Sequence, residues 1–88
     1  MSGIAETAAQ AAQAREAGNT AFLAICEAEA KIIEAQGVVR EIIGNGGSDT
    51  LSDWLMLLNQ THSQLIVARN TVPLANELGQ RFINNLFS

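Results

Sequence analysis

The chain has 88 residues, 48% of them hydrophobic and 16% charged, with a formal net charge of −4. That length allows one domain with a small core. The acidic balance leaves only Arg15, Lys31, Arg40, Arg69 and Arg81 as scattered basic residues, which excludes the basic stripe a nucleic-acid backbone requires.

The first residues, Met1 to Glu6, show no basic segment followed by a leucine-rich core. No secretory signal peptide is therefore expected, and synthesis in the cytoplasm is the default. Helix 1 is predicted over about residues 3–44, with Ser2 placed to cap it and Glu6 favourable in its first turn. Gly18-Asn19-Thr20 is a weak point inside it. The most apolar window, Phe22 to Ile43, contains Glu27, Glu29, Lys31, Glu34, Arg40 and Glu41, so no transmembrane span is expected.

Gly44-Asn45-Gly46-Gly47 supplies the turn, over residues 44–49, because a helix C-cap needs a left-handed residue. It follows a helix, not a strand, so it does not cradle phosphate. Helix 2 is predicted over about 50–87, with Ser48 or Asp49 as cap and Thr50 with Asp53 resembling a capping box. Pro73 interrupts its hydrogen bonding at the Arg69 carbonyl. Gly18 and Pro73 fall at nearly the same height, as a shared kink or a hinge.

Folding the sequence back at Gly46-Gly47, with paired positions adding to 93, brings apolar residues together in layers. Val39 meets Trp54, Ala35 meets Leu58, Ile32 meets Thr61 and Ala28 meets Leu65. The series runs on through Ile25 with Ala68, Ala21 with Val72, Gly18 with Ala75, Ala14 with Gly79 and Ala11 with Phe82. This is the seven-residue spacing of two helices that wrap around each other. The expected fold is all-α: one antiparallel, coiled-coil-like two-helix hairpin over residues 1–88, associating into a four-helix bundle or a larger helical assembly.

The reason to expect association is the apolar surplus outside the seam. On the back of helix 1, Leu23, Cys26, Ala30, Ile33 and Gly37 recur at spacings of three and four, with Phe22 on their flank. Helix 2 adds Leu55, Leu57, Ile66, Val67, Leu74, Leu78, Ile83 and Phe87 away from its inner line. A helix apolar nearly all round is normally buried all round, so these residues are candidates for a partner interface. Trp54, at the mouth of the turn, either plugs the hairpin end over Val39 and Ile43 or anchors a partner there. The partner is expected to be a second copy or a related helical chain.

Candidate chemistry is sparse. Cys26 is the only cysteine, which excludes an intrachain disulfide, and it has glutamates, not cations, nearby. His62 is the only histidine and lies beside the seam, in reach of Glu29 or Gln36, with no nucleophile or second base. Glu27, Glu29 and Glu34 lack the Glu-x-x-His motif of a di-metal bundle. Glu27 with Lys31 and Glu29 with Arg69 are expected as ion pairs. No enzyme activity, catalytic residue, metal or cofactor is expected.

Two long helices, a glycine-containing turn and Trp54 close behind it resemble the helical-hairpin W-x-G proteins of type VII secretion. That resemblance implies a dimeric four-helix bundle and export without a cleaved signal peptide. The chain departs from the family's pattern, because Trp54 is followed by Leu55 and Met56, and the C-terminal tyrosine signal has no counterpart in a chain without tyrosine. The plan is also similar to the needle subunits of type III secretion, which polymerise through apolar outer faces, although the proline-containing turn motif of those subunits is missing here. That likeness implies a helical filament built by heterologous contacts. An adaptor or immunity-type protein that folds on a partner helix is the third alternative.

Overall fold

A computed structural model describes residues 3–88 and shows two helices, α1 (Ile4–Asn45) and α2 (Asp49–Leu86), packed along their length as a rod of 65 × 17 × 14 Å. The predicted cap Ser2 lies outside the described residues. Gly3 precedes α1 in extended conformation and offers no side-chain cap. At the other end α1 runs one residue past Gly44, to Asn45.

Gly46 then turns the chain, with φ 151° and ψ 97°, and its amide donates to the Ile43 carbonyl. It is the only described residue with positive φ. Space is not the constraint, since a Cβ there would touch nothing within 4 Å. The backbone conformation is, because at this φ a side chain crowds the carbonyl of the preceding residue. Gly46→Ala is therefore expected to cost about 1–2 kcal/mol in urea unfolding. Gly44→Ala, inside α1 with open space around it, should gain a few tenths of a kcal/mol or more. Equal effects of the two substitutions would contradict this account of the turn.

Ser48 caps α2, its Oγ accepting from the Leu51 amide at 3.3 Å. Thr50 and Asp53 lie inside the helix, so the resemblance to a capping box does not translate into one. Both helices continue unbroken through Gly18 and Pro73.

The seam itself is displaced by one residue from the expected register. Gly18 lies against Asn76 and Gly79 against Arg15, and each of these pairs adds to 94. The less exposed positions of both helices obey the same rule, from Ile43 with Leu51, Val39 with Leu55 and Gln36 with Leu58 to Ala11 with Ile83 and Ala8 with Leu86. Along α2 the inner line is Leu55, His62, Asn76 and Ile83, whereas Trp54, Thr61, Ala75 and Phe82, expected there, are exposed. On α1, Arg15 and Phe22 replace Ala14 and Ala21. The alternating steps of three and four continue through both helices, which is the heptad geometry of a two-stranded coil.

The displacement has a physical reason. The observed seam admits polar groups, and all of these except His62 find a partner across it. Arg69 Nη1 donates to Glu29 Oε2 at 2.7 Å, and Gln36 Nε2 donates to Asn59 Oδ1 at 2.8 Å. Near the open end Arg15 Nε donates to the Asn76 carbonyl at 3.1 Å, while Asn76 Nδ2 donates to Asn19 Oδ1 at 2.7 Å. Gly18 and Gly79 make room for these two polar side chains, for a Cβ on Gly18 would collide with the Asn76 amide and one on Gly79 would press on the Arg15 stem. Satisfied polar groups at a coil seam fix register, because a slip leaves them unpaired.

Candidate functional site

Two long faces flank the seam. One carries, at seven-residue intervals just before seam positions, Ala14, Ala21, Ala28, Ala35 and Ile42 on α1, with Trp54, Thr61, Ala68, Ala75 and Phe82 on α2. None of these residues is charged. At the turn end a shallow furrow on this face is lined by Ala35, Val38, Val39 and Trp54, with Lys31 and Glu34 at its edge. Lys31 Nζ lies 3.7 Å from Glu34, not paired with Glu27 as expected.

The opposite face carries Cys26, Ile33, Asn59, Ile66 and Pro73. Its furrow, near the open end, has Phe22, Val72 and Pro73 as apolar lining and Arg15, Asn19, Asn76, Glu77 and Gln80 as polar lining. Arg15 is already held by the Asn76 carbonyl there, and Asn76 by Asn19. This furrow is thus part of the hairpin's own polar lock.

The expected interface residues divide among these surfaces. Leu23, Ala30, Ile33 and Gly37 are exposed and share one side of α1. Phe22, Cys26 and Ile66 are half-buried by the hairpin itself, because Phe22 lies in the seam and the other two border it. Trp54 sits on the opposite, uncharged face; it is 49% exposed, so it covers Val39 on one side and leaves the other side to solvent. Leu74 is exposed on the outer back of α2. The structure therefore does not gather these residues into one patch. Leu57 and Leu78, expected among the outer apolar residues of helix 2, and Phe82, expected in the seam, are all exposed and extend the face that holds Trp54.

His62 occupies the seam opposite Ile32, while the groups it was placed to reach, Glu29 and Gln36, bond Arg69 and Asn59. Among the described residues no group of three His, Cys, Asp or Glu side chains could hold a metal ion. None of the described helices is long and apolar enough to cross a membrane. No protein-family model, curated protein or solved structure matches the chain.

Proposed function

We propose that this chain is a non-enzymatic helical interaction protein, which completes its core by packing against a second copy or a related helical chain. The observation that supports this most is the incompleteness of the core. Val39, at 1% exposure, is the one apolar side chain among the described residues that is fully buried. The hairpin exposes 6220 Å², whereas a compact monomer of this mass exposes about 5,000 Å². Merging two such chains into one compact body would cover about 2,000 Å² on each, within the range of obligate interfaces. What stays exposed includes Leu23, Leu57, Val67, Leu74 and Leu78, each more than half accessible, and patches of this kind mark interfaces on soluble chains.

Uncharged residues on both sides of the rod support a second reading, an open-ended helical assembly in which each face meets a different neighbour. Light scattering coupled to size exclusion, with circular dichroism on the same fractions, tests the proposal. The expected result at micromolar concentration is a strongly helical species of at least twice the chain mass. A well-folded monomer would refute it. A series of masses rising with concentration would select the open-ended assembly.

A further inference from the structure

The geometry points to a second copy of this chain as the occupant of the Trp54–Phe82 face, bound antiparallel across a two-fold axis that passes beside Ala68. This deepens the association proposed above and rests on it.

The outward line of α2 on this face is nearly the same read in either direction from Ala68. Trp54 lies fourteen residues before it and Phe82 fourteen after; Thr61 lies seven before and Ala75 seven after. Leu57, eleven residues before, is mirrored by Leu78, ten after. In a two-fold contact every residue meets its mirror position on the other copy, so each aromatic ring here meets an aromatic ring and each leucine a leucine. All four of these large side chains are 49% exposed or more, which leaves them free to make those contacts.

The shape of the face favours the same arrangement. Its middle is alanine on both helices, with Ala21 and Ala28 of α1 beside Ala68 of α2, while bulky residues occupy the two ends of the α2 line. Helices that cross at an angle approach most closely at the crossing point and diverge away from it. Small residues at the crossing and large ones toward the ends fill that space. Charge agrees, because two chains of net charge −4 repel, yet the residues that precede seam positions include no carboxylate, and the one charged side chain among them is Lys31, at the edge of the face. The glutamates of α1, Glu27, Glu34 and Glu41, recur every seven residues beyond this face, with Glu34 at the edge of its furrow, and would stay in water.

Disulfide trapping tests the axis. In a Cys26→Ala background, Ala68→Cys should give mostly covalent dimer on mild oxidation, because a residue beside a two-fold axis meets its own copy. Leu74→Cys in the same background should stay uncrosslinked. Thr61→Cys and Ala75→Cys should crosslink when the two proteins are mixed, and neither alone. Leu78→Glu should weaken the dimer about 100-fold and Leu74→Glu less than about 3-fold. Dimer mass by light scattering without an Ala68→Cys crosslink would overturn the axis and leave the association standing. Equal crosslinking at positions 68 and 74 would overturn it as well. A folded monomer would overturn both.

Discussion

Arg69→Met is expected to lower the unfolding free energy by about 3 kcal/mol, toward the low end of what removing one partner of a buried ion pair costs. For a chain of this size that is roughly 15 °C in melting temperature. The Glu29 carboxylate lies in the seam at 7% exposure; its Oε2 accepts from Arg69 at 2.7 Å, and its Oε1 is buried without a hydrogen-bond partner. Without the guanidinium, a desolvated charge would face Leu65 and its apolar neighbours with no compensation. Arg69 itself is partly open to water, which keeps the loss below the upper end of the range. Replacing both residues, Glu29→Met with Arg69→Met, should restore wild-type stability or exceed it, since the desolvation cost disappears together with the attraction. Urea unfolding at fixed chain concentration measures all three proteins, because association shifts apparent stability. A loss under about 1 kcal/mol for Arg69→Met alone would show that Glu29 finds water or another donor.

This pair also shows what could be read without coordinates. The hairpin, its turn at Gly46 and the approach of Glu29 to Arg69 follow from spacing and from glycine chemistry. The register does not follow, because a seam with pairs adding to 93 is apolar but for Thr61 and so is more hydrophobic than the one formed. It places Trp54 and Phe82 inside and His62 and Asn76 outside. The observed seam is the reverse at these positions. What decides it is a set of cross-helix hydrogen bonds, Gln36 to Asn59, Arg15 to Asn76 and Asn76 to Asn19, each of which depends on two residues far apart in sequence. A hydropathy pattern counts each of these residues as a cost, since it cannot see that its partner is present. The same shift by one residue explains the misplaced interface. Once Leu55, not Trp54, turns inward, Trp54, Leu57, Leu78 and Phe82 come together on an outer face and Leu74 is left on the back.

The layers of the seam differ in kind along the rod, and Val39→Asp is the substitution that uses this difference most. Toward the turn they are built from Val39, Ile43, Leu51, Leu55 and Leu58, whose side chains bury large apolar areas. Toward the open end they set Ala8, Ala11, Arg15 and Gly18 against Leu86, Ile83, Gly79 and Asn76, so that one partner of each layer is small or polar and hydrogen bonds replace apolar contact around Arg15 and Asn76. The turn end therefore supplies most of the hydrophobic stabilisation, and Val39 is its most buried member at 1% exposure. An aspartate there would bring a carboxylate among leucines. The nearest polar seam group, Gln36, already donates its amide to Asn59. The expected loss is about 4 kcal/mol or more, a large part of the total stability of a small domain. The helical circular dichroism signal should collapse at room temperature or fall to a low, non-cooperative melt. Val67→Asp, on the exposed back of α2 at 64% accessibility, adds the same charge without burying it and should cost about 1 kcal/mol or less. If Val39→Asp melts cooperatively within about 1 kcal/mol of Val67→Asp, the seam does not close over Val39, and a register that adds to 94 is wrong at the end of the rod where it holds most of its apolar contacts.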